Sequence, residues 1–129
     1  MQPQETQWTT ARGIELEVPQ PGTAIVKLRG ELDLSARARL TRVLAGASTQ
    51  PTVLVDLSEC TFADSTVVAA LVTASAEVRK RGGRLELVIP PTARAPRRLA
   101  ELAHLADVVP IHESRIAACA SLQPRLGAV

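Results

Sequence analysis

The sequence predicts a single α/β domain built on a small, mostly parallel mixed sheet of four to five strands, with an N-terminal β-hairpin and four helices. Three observations carry this expectation. The chain has 129 residues, the length of one ordinary domain. From residue 52 onward, short β-branched runs alternate with segments of helical periodicity, the order that produces right-handed crossovers and a parallel sheet. Before residue 52, two strand-like runs are joined by a connection too short for a crossover, so they pair antiparallel.

Residues 1–12 are polar, contain Pro3 and lack periodicity, and they are expected to be a tail from which Trp8 folds back onto the body. The domain proper is expected over 13–122, with a second tail at 123–129. Ile14, Leu16 and Val18 alternate with Glu15 and Glu17, the period-2 pattern of a half-buried strand. PQPG at 19–22 is a turn, and a second strand follows from Ala24 to Arg29. Ser35 is placed to cap a helix over 36–48, whose Ala36, Leu40, Val43, Leu44 and Ala47 fall on one face. Val53, Leu54, Val55 and Leu57 form a nearly continuous apolar run, as a central strand covered on both sides requires. A helix over 65–81 follows, with Val67, Val68, Leu71, Val72, Ala74, Ser75 and Val78 inward and a basic end closed by Gly82 and Gly83.

Leu85, Leu87 and Ile89 mark another strand, stopped by Pro90 and Pro91. Pro96 suits the first position of a helix running to His104. A short strand at 107–109 is expected before Pro110. The last helix is expected over 112–122, with Ile116, Ala117, Ala120 and Leu122 inward.

Composition narrows the function classes. The chain is 46% hydrophobic but has one Trp, one Phe and no Tyr, so the core must be aliphatic and the stacking platforms of a nucleic-acid reader are missing. Fifteen basic against thirteen acidic residues leave +2, too small an excess to argue for a polyanion partner. The basic clusters at Arg79, Lys80 and Arg81 and at 94–98 are expected to be solvated helix ends. No apolar run approaches the ~20 residues that span a bilayer, and the start has no leader-like pattern, so a cytoplasmic protein is expected.

Cys60 and Cys119 form no CxxC and are expected to be small buried residues. His104 and His112 alone do not suggest a metal site, and no cofactor is expected. Ser65 with either histidine is the one nucleophile–base pairing on offer; there is no G-x-S-x-G elbow and RGGRLEL lacks the spacing of a phosphate loop, so no catalytic residue is expected.

Asp64, Ser65 and Thr66 open a helix directly after a buried strand. Their side chains lie where unpaired backbone N–H groups and the positive end of the helix dipole converge, a place that favours a phosphate. The same residues fill ordinary capping roles in very many helices.

Three segments together resemble the STAS family, the domain shared by sulfate transporters and anti-sigma factor antagonists. LRGELDLSA at 28–36 is similar to the family's Gly-x-Leu-Asp element. VLVDLSECTFADSTVVAAL at 53–71 resembles its central strand and the Asp-Ser-Ser/Thr step into a helix. RRLAELAHLADVVPIHES at 97–114 resembles its closing helix and short strand. The resemblance implies an anti-sigma factor antagonist that binds an anti-sigma factor, itself a serine-protein kinase, to release a sigma factor. It implies phosphorylation at Thr66, with Ser65 the alternative acceptor, and a partner-binding surface of Asp33, Asp64, Ser65, Thr66 and Val67. Two positions depart from the pattern: Val67 stands where the family usually has Gly, and His104 stands where it often has a Gly in the left-handed cap conformation. A non-phosphorylated interaction module, in a larger signalling assembly or in a membrane transport complex, is the alternative the same family implies.

Overall fold

The computed structural model describes residues 9–11 and 13–122. Residues 1–8 and 12 of the expected tail at 1–12, with Trp8, and the whole of the expected tail at 123–129 lie outside the described residues. In chain order the elements are β1 (Thr9–Ala11), β2 (Ile14–Gln20), β3 (Thr23–Leu32), α1 (Arg37–Ala47), β4 (Thr52–Ala63), α2 (Ser65–Lys80), β5 (Arg84–Val88), α3 (Arg94–Leu102), β6 (Ile111–His112) and α4 (Arg115–Leu122). They form one six-stranded sheet in the order β1-β2-β3-β4-β5-β6. The first two pairings are antiparallel and the remaining three parallel. The mixed sheet, the entering hairpin and the four helices agree with the expected fold class. The strand beyond the expected four to five is β1, three residues within the span read as tail, which pair with β2 from Thr9 opposite Leu16 to Ala11 opposite Ile14.

β4 is the central strand, and its alternation explains the layering. Val53, Val55 and Leu57 join Val26, Leu28, Leu85 and Leu87 in the large cluster that α1, α2 and α3 cover. Leu54 points the other way, into a small cluster with Ile25, Val88 and Ala118 of α4. The inner faces expected for the two long helices are observed: Leu40, Val43, Leu44 and Ala47 of α1, and Val67, Leu71, Ala74, Ser75 and Val78 of α2, are all buried.

The end of α2 shows how local chemistry stops an element. Gly82, at φ 81°, donates its N–H to Arg79 O at 2.9 Å and Gly83 donates to Val78 O at 2.9 Å, the paired bonds that close a helix through a left-handed residue. A Cβ on Gly83 would stand 2.4 Å from the Pro51 carbonyl oxygen, so this turn also requires a residue without a side chain where it meets the α1–β4 connection. His104 takes φ 53° after α3, supplying with a histidine the left-handed cap more often given to glycine.

Several expectations need correction. Ser35 does not cap α1, which begins at Arg37 after Ala36 with no side-chain cap; Ser35 instead donates its N–H and hydroxyl to Asp33. α3 begins at Arg94, so Pro96 is its third residue, still within the first turn where no N–H is needed. The strand expected at 107–109 is not there: Leu105–Asp107 is a 3-10 turn, Leu105 and Val109 anchor in the core, and pairing begins with the Pro110 carbonyl accepting from Leu87 N at 2.9 Å and continues at Ile111 and His112. Proline lacks the donor but keeps the acceptor, so it starts a ladder rather than ending one. α4 begins at Arg115 rather than 112; the Leu122 side chain, expected inward, lies outside the described residues, and the helix turns Ala118 inward while Ile116, Ala117 and Ala120 are exposed. For the same reason Cys119 is exposed, whereas Cys60 is buried as expected.

The rotation of α4 follows from what the sheet presents to it. Asp56 on β4 and Glu86 on β5 are 3% and 5% exposed, and buried carboxylates require partners. Arg115 Nε lies 2.6 Å from Asp56 Oδ2, and Glu86 Oε1 receives His112 Nε2 at 2.6 Å and Ser121 Oγ at 3.3 Å. Burial works against ionisation of Asp56, but the Ser58 hydroxyl and amide and the Arg115 guanidinium outweigh it and hold the carboxyl below its ordinary value. A carboxyl depressed by folding contributes stability that is fully present above its unfolded pKa, about 4, and is lost as pH falls through the lower folded value. The wild type is therefore expected to lose stability more steeply than Asp56→Asn as the pH falls below about 4 in denaturant melts; parallel curves would remove Asp56 as the source.

Candidate functional site

The site lies where β3 and β4 end side by side. Their parallel register places Leu32 opposite Ala63, and each strand is followed at once by an aspartate, Asp33 and Asp64. Both aspartates are in extended backbone and fold back onto the residue two positions on. Asp64 Oδ1 accepts the Thr66 N–H at 2.9 Å and the Thr66 hydroxyl at 2.5 Å, capping α2. Asp33 Oδ1 accepts the Ser35 N–H at 2.9 Å and the Ser35 hydroxyl at 2.6 Å, capping the 3-10 turn at Leu34–Ala36 that leads into α1. The hydrogen bonds from the Ser35 side chain and then its backbone hold the Asp33 carboxyl below the usual range.

Of the residues expected at the site, the structure brings Asp33, Asp64, Ser65 and Thr66 to one end of the sheet. Ser65 and Asp33 are exposed and Thr66 is partly buried. Val67 does not join them: it is 2% exposed and packs in the core beneath α2, so a partner does not touch its side chain in this conformation.

Two residues that sequence reasoning passed over complete the surface. Leu34, between Asp33 and Ser35, is 62% exposed, and Phe62, at the end of β4, is 47% exposed. Phe62 pairs across the strands with Glu31, which is exposed as well. Strict alternation from Cys60 would turn Phe62 inward; the register shift between the Gly30–Cys60 and Glu31–Phe62 pairs turns it out, and the sequence signalled only that the chain's one Phe stands among polar residues in ECTFAD. Glu31, Asp33 and Asp64 make no ion pair among the described residues, whereas neighbouring Lys27 and Arg29 are engaged with Glu59 and Glu15.

The chemistry of this arrangement is that of a cap under tension from any modification of Thr66. Its hydroxyl now donates to a carboxylate. Esterifying that oxygen with phosphate removes the donor and sets about two negative charges against Asp64, so the cap must rearrange. The first-turn N–H groups and helix dipole of α2 favour the added anion where it stands.

Among the described residues no three His, Cys, Asp or Glu side chains converge as a metal site would require, and no helix is long and apolar enough to cross a membrane. A family model described as Mlab, STAS domain, matches residues 17–110. In fold the chain is similar to the phosphorylated form of the Bacillus cell fate determinant SpoIIAA, with 20% identity, a TM-score of 0.66, and coverage of 85% of this chain and 99% of that one. It is similar to an anti-sigma factor antagonist from Mycobacterium paratuberculosis, with 21% identity, a TM-score of 0.77, and coverage of 90% of this chain and 100% of that one. It is also similar to part of the murine solute carrier 26 family member A9 anion transporter, with 22% identity, a TM-score of 0.52, and coverage of 66% of this chain and 14% of that one. No curated protein sequence matches it. With the matched model spanning most of the chain, and β4 leading through Asp64, Ser65 and Thr66 into α2, the chain belongs to the STAS domain family.

Proposed function

We propose that the chain is a cytoplasmic, non-enzymatic binding switch of the anti-sigma factor antagonist type. It docks on an anti-sigma factor that is also a serine-protein kinase, and phosphorylation at Thr66 releases it. The observation that carries this reading is the juxtaposition at one sheet end of the Asp64–Thr66 cap, its Asp33–Ser35 counterpart, and the exposed Leu34 and Phe62. A hydroxyl beside exposed apolar side chains is well placed to report its modification to a docked partner. A shift of about 3 kcal/mol, some hundredfold in affinity, is enough to release that partner, and a phosphate buried badly at an interface supplies it.

Thr66→Glu is expected to weaken partner binding by about 1–2 kcal/mol, since a carboxylate carries less charge than phosphate and has fewer oxygens, while Thr66→Ala binds as the wild type. The helix dipole favours a carboxylate in the first turn while Asp64 opposes it, and the Thr66 N–H bond to Asp64 survives in Thr66→Ala, so both variants should remain folded with a loss of about 1 kcal/mol or less. Titration against the purified anti-sigma factor checks this, with Ser65→Ala as the control. Full affinity in Thr66→Glu together with loss in Ser65→Glu would move the acceptor to Ser65; full affinity in both would remove this face as the docking site.

A second reading, a non-phosphorylated module in a larger signalling or membrane transport assembly, is favoured by the likeness to part of an anion transporter. Its distinguishing result is stable co-purification with transport subunits, indifferent to substitution at Thr66.

A further inference from the structure

We infer that α4 is a strap that opens as a unit, ahead of the rest of the domain, and uncovers an aliphatic stripe of Ile25, Leu54 and Val88 on the sheet. The large core joins α1, α2 and α3 to one face of the sheet through more than twenty buried residues. α4 takes no part in that cluster. On its own side, among the described side chains, it contributes Ala118 to a cluster with Ile25, Leu54 and Val88.

The remaining attachments are polar and fall on the same stripe of the helix. Arg115 reaches Asp56 at 2.6 Å and Ser121 reaches Glu86 at 3.3 Å, with Ala118 between them. Arg84 adds a bond to the Ser121 carbonyl at 3.4 Å. Just before the helix, His112 holds Glu86 at 2.6 Å and Arg97 meets Glu113 at 3.5 Å. Opening returns Asp56 and Glu86 to water, and for buried ion pairs the recovered hydration largely offsets the lost attraction. Among the described side chains of α4, the apolar contact that then remains is that of Ala118. Eight residues do not sustain a helix alone in water, so once undocked the segment loses its helical order as well. Ile116, 83% exposed, contributes nothing to the closed state.

Hydrogen exchange on the full chain tests the strap directly. Amides 118–121 of α4 are expected to exchange faster than amides 69–80 of α2. Arg115→Met, which keeps the length but removes the charge, should speed the α4 amides by a further factor of about ten while leaving α2 unchanged. Ala118→Glu puts a carboxylate into the apolar cluster and should have the same local signature. Equal protection of α4 and α2 in the wild type, or a parallel loss in both helices in either variant, would overturn the inference.

Discussion

Leu71→Ala is expected to destabilise the domain by about 2–4 kcal/mol, and Val55→Ala by an amount toward the lower end of the same range. Leu71 is 1% exposed in the middle of α2 and Val55 is fully buried on the facing strand. Both belong to the cluster that holds α1, α2 and α3 on the sheet. Removing three side-chain carbons from Leu71 loses their transfer free energy and leaves a space that the neighbours fill only in part. With no Tyr and a single Trp and Phe in the chain, the surrounding aliphatic side chains offer no large ring that could swing into the gap. For a domain of this size the loss is a large fraction of the whole stability of about 5–15 kcal/mol. Urea melts at constant slope measure it, and a change under about 0.5 kcal/mol for both variants would mean that the faces of α2 and β4 are wrongly assigned.

Phe62→Ala is expected to cost about 2 kcal/mol or more of partner affinity, some thirtyfold, and Leu34→Asp at least as much, with little loss of fold stability in either case. The reasoning is one of contrast. Large apolar side chains this exposed gain little for the folded chain, and here two of them stand at adjoining strand ends beside the residues at which a switch is proposed. Binding energy concentrates in a few such side chains once a partner excludes water from them, and the surrounding polar groups supply register more than affinity. Titration of each variant against the anti-sigma factor, with a thermal melt beside it, separates docking from folding. Affinity within about threefold of the wild type for both would place the interface elsewhere.

Much of the architecture was legible because it is written in local signals. The hairpin follows from alternation around PQPG, and α2 from an apolar stripe bounded by Asp64 and by Gly82 and Gly83. The errors cluster in the last third, where the signals are weak or shared. Val109 is apolar enough to look like strand and is in fact a core anchor. Ile116 is the most hydrophobic residue of α4 and faces solvent, because the sheet beneath offers buried carboxylates with which Arg115 and Ser121 of the helix pair.

By itself the sequence determined the order of strands and helices from β2 to α3, the aliphatic character of the core, and the placing of Asp64, Ser65 and Thr66 at the mouth of a helix. Each of these depends on residues within a turn or a strand of one another, the range over which periodicity, capping and turn chemistry act. The tertiary structure alone decided that Asp33 stands beside Asp64, since that rests on the register of Leu32 with Ala63 across two strands far apart in the chain. It decided too that Val67 turns into the core while Leu34 and Phe62 turn out, and that α4 sits on the sheet by its polar stripe. Strand register and the rotation of a short helix are set by which distant groups must be covered or paired, and a local pattern does not contain the groups it will meet.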